Sequence, residues 1–182
     1  MSLLWQKEGH RGYMDLKRRM LELYISQTES LQDKGRPIRF STITIGDTST
    51  GKTFLYKTLF SLWKLKPFDF LNPNFRDAGY AIVKAEELTD KEDAPNSVNK
   101  TLQTLENLIC ANPRVNILFD DLHKGTPNVV TRIINWIGSL FDAENGMARF
   151  ACQDDIREVP IMNLGLHITL NPTSDRKLRE RV

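Results

Sequence analysis

The sequence predicts an α/β fold of three layers, with a central, mostly parallel β-sheet flanked by helices and preceded by an N-terminal helix. Three observations predict it. Stretches rich in β-branched and apolar residues at 40–45, 80–85, 115–121 and 164–170 read as strands. Apolar residues at helical spacing over 54–59, 98–109 and 129–141 fall between them. The stretch GDTSTGKT at 46–53 joins the first of those strands to the first of those helices.

The elements follow in chain order. Tyr13, Leu16, Met20, Leu23 and Tyr24 recur at helical intervals and predict a helix over 12–32. Lys17, Arg18 and Arg19 form a basic triplet on it, which reads first as a solvated face and second as a contact for phosphates or an acidic partner. Gly35 and Pro37 break the chain, dividing it into a helical segment, 1–35, and a core, 36–182. The run Phe40 to Ile45 is the first strand, and Phe54, Leu55, Thr58 and Leu59 mark the helix after the GDTSTGKT loop.

That loop fits the pattern G-x-x-x-x-G-K-[ST], a P-loop, in the strand–loop–helix context the pattern requires. Gly46 and Gly51 let the backbone, through Asp47, Thr48, Ser49 and Thr50, turn tightly and bring its N–H groups to phosphate oxygens. The helix start adds the positive end of its dipole. Lys52 has the reach for the β- and γ-phosphates, and the Thr53 hydroxyl is a natural Mg²⁺ ligand.

Downstream, Tyr80–Ala85 predicts a second strand, and Ser97 an N-cap for a helix carrying Val98, Leu102, Leu105, Leu108 and Ile109 on one face. Val115 to Asp121 is an apolar run closed by two carboxylates, as in a central parallel strand delivering acids at its C-terminal end. In P-loop proteins this is the Walker B position, where Asp120 would hold Mg²⁺ and Asp121 would orient and deprotonate the attacking water; a helix-capping acid pair is the alternative. His123 lies just beyond, without a second His or Cys to complete a metal site, and reads as a polar loop residue. Val129 to Phe141 predicts an amphipathic helix whose apolar residues are core. A hairpin follows, Met147–Cys152 and Ile156–Val159 about an acidic turn at 153–155, then a last strand, Leu164–Leu170, ending at Asn171. Asn171 is placed to bond the γ-phosphate or the attacking water, and the chain closes on Arg176, Lys177, Arg179 and Arg181.

Bulk properties bound the rest. A length of 182 residues with 40% hydrophobic and 26% charged residues is that of one ordinary globular domain. The net charge of +2 is too small to argue for nucleic acid. Cys110 and Cys152 suggest buried thiols in a reducing compartment such as the cytoplasm, with a single disulfide left open. No apolar run has the length of a membrane span and the start lacks a signal-peptide pattern.

Taken in order, GDTSTGKT (46–53), ILFDDL (117–122) and ITLNPT (168–173) resemble Walker A, Walker B and sensor 1 of the AAA+ ATPases, ring-forming P-loop NTPases of the ASCE type. The segment 159–182 is similar to the end of the superfamily-three viral helicases, which is compatible with a viral source; dynein-like modules and helicase loaders share parts of the pattern. The resemblance implies ATP bound by Gly46 to Thr53, Mg²⁺ held by Thr53 and Asp120, water activated by Asp121, the γ-phosphate sensed by Asn171, and an arginine finger at Arg181 or Arg179 serving a neighbouring subunit. It implies a homo-oligomeric ring that couples hydrolysis to movement of single-stranded nucleic acid or, alternatively, of a protein substrate. The chain departs from the pattern in having Asp at 121, a longer separation of Lys52 from Asp120, and an acidic hairpin turn where those helicases place Lys or His. Eleven residues follow Asn171, too few for a helical lid, so a lidless core or a piece of a longer protein is expected. A P-loop small-molecule kinase and a non-hydrolysing nucleotide-binding module are the readings from other classes. No N-K-x-D sequence is present to read guanine.

Overall fold

Four parallel strands form the central sheet: β1 (Ser41–Ile45), β2 (Tyr80–Lys84), β3 (Asn116–Asp120) and β6 (Gly165–Leu170), in the order β1-β6-β3-β2. The computed structural model describes residues 41–47, 49–152 and 155–171, with Arg18, Leu21, Glu22 and Ile25 of the N-terminal segment. Those four residues are helical, and Arg18 Nε lies 3.6 Å from Glu22 Oε1 one turn on. The rest of the helix expected over 12–32 lies outside the described residues, as do Thr48, Gln153, Asp154 and 172–182.

Among the described residues three helices make the flanking layers: α1 (Lys52–Leu62), α2 (Val98–Ala111) and α3 (Pro127–Phe141). The alternation of side chains along each strand decides what each helix meets. In β3, Ile117 and Phe119 join α2 and α3 in the larger core cluster, whereas Leu118 packs with Leu55, Tyr56, Leu59 and Phe60 of α1. Ile117, Leu118 and Phe119 are all fully buried, which is why this strand reads as an unbroken apolar run. Ser97 stands at the N-cap of α2 as expected, but its hydroxyl makes no capping hydrogen bond among the described residues; Thr126 does cap α3, accepting from the N–H of Val129.

The hairpin is also present, as β4 (Met147–Cys152) antiparallel to β5 (Asp155–Pro160), in a two-stranded sheet of its own. It docks on α2. Ala148, Phe150, Cys152 and Val159 enter the larger core cluster, and Gln103 Nε2 donates to the Ala151 carbonyl at 2.9 Å. Cys110 of α2 and Cys152 of β4 are joined in a disulfide, so the pair of separate buried thiols suggested by the sequence is corrected to the bridged alternative. Among the described residues no helix is long and apolar enough to cross a membrane.

The face of the sheet beneath α1 is polar towards β1. His167 is fully enclosed, with Nδ1 2.9 Å from Thr42 Oγ1 and Nε2 3.1 Å from Asn116 Oδ1, and Thr42 and Thr44 both bond the Tyr56 hydroxyl. Gly165 keeps this network possible, because a Cβ there meets Asn116 Oδ1 at 2.2 Å. Burial pushes the His167 imidazole from 6.5 down to about 3. The unfolded chain therefore takes up a proton below pH 6.5 that the folded chain refuses until about pH 3. This contribution to stability is full above that window and is lost as pH falls through it, by ~2 kcal/mol at about pH 5. Urea unfolding at neutral pH and at about pH 5 will show a lower midpoint in acid. His167→Gln will shrink the difference; an undiminished difference contradicts the assignment.

Candidate functional site

The functional residues gather where the parallel strands end. β1 passes into the loop with the Gly46 N–H donating to the Leu170 carbonyl at 3.1 Å, so loop and β6 leave the sheet together. Within the loop Ser49 (φ 64°) and Gly51 (φ 83°) adopt left-handed conformations on either side of Thr50. Such alternation turns successive N–H groups into an anion-binding concavity. Thr50 tightens it, its N–H and hydroxyl both donating to the Asp47 carbonyl, at 3.3 and 2.8 Å. Glycine at 51 serves the positive φ, and the N-cap position of α1 makes no side-chain capping bond among the described residues.

Lys52 is buried, and its ammonium group has three acceptors: the Gly46 carbonyl at 2.7 Å, the Asp47 carbonyl at 2.9 Å and Asn171 Oδ1 at 2.7 Å. Asn171, the residue after β6, is thereby tied to the lysine of the loop across 119 residues of sequence. Its own N–H donates to His123 Nδ1 at 3.3 Å. Burial holds the His123 ring below its ordinary pKa, which suits a nitrogen used as an acceptor.

The two acids are placed differently. Asp120 is buried and accepts from the Thr53 hydroxyl, 2.7 Å from Oδ1 and 2.9 Å from Oδ2. Thr169 Oγ1 donates to the same Oδ1 at 2.7 Å. Asp121 turns the chain out of β3 with φ 48° and ψ 48°, a left-handed conformation that Asp tolerates better than most residues. Its N–H donates to Thr169 Oγ1 at 2.8 Å, and its Oδ2 pairs with Lys124 Nζ at 2.6 Å. Lys124 also lies 3.5 Å from Glu86 Oε2, and the hydrogen bond and charge of Asp121 hold its ammonium above the ordinary lysine range.

Gly46, Asp47, Ser49, Thr50, Gly51, Lys52, Thr53, Asp120, Asp121 and Asn171 thus all stand at one edge of the sheet. Thr48 and the two arginines expected as fingers, Arg179 and Arg181, lie outside the described residues. Three participants escaped the sequence reading. His123 is the polar loop residue expected, yet it also supports Asn171; Lys124 engages Asp121; Thr169 bonds both acids. A hydroxyl in the apolar strand Gly165–Leu170, two residues before Asn171, was the available signal for Thr169.

A hydroxyl and a carboxylate in contact, Thr53 and Asp120, are hard oxygen donors of the kind Mg²⁺ takes. Among the described residues there is no group of three or more His, Cys, Asp or Glu that could hold a metal ion. The chain matches no protein-family model and no curated protein.

Proposed function

We propose that this chain is a Mg²⁺-dependent, AAA+-type P-loop ATPase that works as a homo-oligomer and converts ATP hydrolysis into movement of a polymer. One observation carries the reading: Lys52 on the loop after β1, Asp120 at the end of β3 and Asn171 at the end of β6 are joined through direct hydrogen bonds and through Thr53, the residue beside Lys52. The strand order supports it further, because β6 lies between β1 and β3 and so delivers Asn171 between the loop and the acids.

In this reading the loop N–H groups and the start of α1 bind the phosphates, and Lys52 exchanges carbonyl or amide acceptors for phosphate oxygens. Thr53 and Asp120 would hold Mg²⁺, which when bound neutralises developing phosphate charge. Asp121 accepts the proton of the attacking water once its carboxylate is released from Lys124. Asn171 orients the water or the γ-phosphate. A reducing compartment is the proposed setting, one in which the Cys110–Cys152 bridge is subject to thiol exchange.

Nucleic acid is the first substrate class on the resemblance, but the hairpin favours a second reading, a protein-remodelling or loader ATPase. Arg149 and Arg157 on β4 and β5 are each paired with an acid, Glu158 at 2.8 Å and Asp155 at 3.6 Å, so they do not form the bare basic strip a single strand requires. Phosphate release is the test, measured with Mg²⁺ and with EDTA, alone and with single-stranded DNA, RNA or an unfolded protein. Mg²⁺-dependent release supports the ATPase, and the stimulating polymer decides between the two substrates. Tight ATP binding without release in every condition contradicts hydrolysis, and transfer of the phosphate to a small acceptor identifies a kinase instead.

A further inference from the structure

We propose that Thr169 is a positioning residue that sets both acids of the site with one hydroxyl, and that it couples them to Asn171 two residues along the same strand; the inference rests on the nucleotide reading above. The β3–β6 ladder ends with the pair Phe119↔Ile168. One residue further on, where backbone pairing has stopped, Thr169 Oγ1 takes over. It donates to Asp120 Oδ1 at 2.7 Å and accepts the Asp121 N–H at 2.8 Å, and the threonine is fully buried.

A single hydroxyl has one proton to give and lone pairs to receive, so the two bonds use complementary halves of the group. The donated bond leaves Asp120 with one oxygen fixed while Thr53 bridges both. The accepted bond satisfies an N–H that the ladder no longer serves, at the residue whose left-handed turn sets the direction of the second carboxylate.

The neighbours across the β1–β6 ladder show that this is specific to the position. Thr42 stands opposite His167 and Thr44 opposite Thr169, and Thr42, Thr44 and His167 all meet Tyr56 of α1. Thr42, Thr44 and His167 bond one another, Tyr56 or Asn116, and so serve the packing of α1 on the sheet. The bonds of Thr169 go to the two acids. Because Asn171 continues the same strand end and bonds Lys52, a shift of β6 on phosphate contact is felt at Asp120 and Asp121 through this hydroxyl.

The experiment is equilibrium binding of a fluorescent ATP analogue to the full chain, in Mg²⁺ and in EDTA, for the wild type, Thr169→Val and Thr169→Ser. Valine keeps the shape and removes both bonds; serine keeps the hydroxyl. The expected result is wild-type affinity for Thr169→Val in EDTA, with the enhancement by Mg²⁺ reduced roughly tenfold, and recovery of that enhancement in Thr169→Ser. Wild-type enhancement in Thr169→Val overturns the inference, and so does an equal loss with and without Mg²⁺, which a purely structural role produces. If valine prevents folding, Thr169→Ala is read by the same criteria. Lys52→Ala in the same assay separates the two levels. A wild type that binds no better than Lys52→Ala removes the nucleotide reading and this inference together, whereas normal wild-type binding with an indifferent Thr169→Val removes the inference alone.

Discussion

Lys52→Ala will abolish measurable nucleotide binding. The lysine's ammonium group sits among the carbonyls of Gly46 and Asp47 and the Asn171 amide, and in the proposed reading the other donors that the loop offers a phosphate are neutral N–H groups. A hydrogen bond from a charged donor is worth ~1.5–3 kcal/mol, so each phosphate oxygen that forfeits its bond to the ammonium weakens affinity roughly 10- to 150-fold. Titration of a fluorescent ATP analogue measures it, with a thermal melt alongside to show that the variant is folded. Binding within about twofold of the wild type, a difference of under 1 kcal/mol, contradicts the assignment of the phosphates to this loop.

Asp121→Asn will leave binding intact and remove turnover. Asparagine keeps the size of the side chain and can still bond Lys124, but it cannot take a proton from water. Loss of a positioned general base costs about 10²- to 10⁴-fold in rate. Because the side chain of Asp121 is a quarter exposed and pairs with Lys124, while Thr53 bonds Asp120, its replacement is expected to leave the proposed phosphate contacts unchanged. Single-turnover hydrolysis read beside the binding titration separates the two effects. Equal hydrolysis rates in the variant and the wild type would remove Asp121 from the proposed chemistry.

How much of this was legible in the sequence follows from where the interactions lie. β1, the loop and α1 are contiguous, and their residue types state their conformations: β-branched residues before Gly46, glycine where φ is positive at 51, helical apolar spacing after it. β3 was legible because burial on both faces leaves an uninterrupted apolar run before its acids. β4 was legible as one strand of a hairpin, but its alternation of exposed and buried residues appears only in the structure. Contacts between distant positions were not legible. Thr169 meets Asp121 across 48 residues and Asp120 across 49, and His123 meets Asn171 across 48, so each depends on β6 inserting beside β3, a topology that local pattern does not specify. The disulfide was hidden for the same reason: Cys110 and Cys152 meet only because the hairpin folds back on α2. Ser97 shows the converse, a cap readable in position whose hydroxyl makes no capping bond among the described residues.

In the proposed site Lys52, Asp120, Asp121 and Asn171 surround one triphosphate. A crystal structure of the chain with Mg²⁺ and a non-hydrolysable ATP analogue tests this most directly. The phosphates are expected in the loop 46–53, with Lys52 and Asn171 in contact with the terminal phosphate and the metal beside Thr53 and Asp120. A triphosphate seated elsewhere on the molecule, or held by the loop with Asn171 and the two acids turned away from it, contradicts the account.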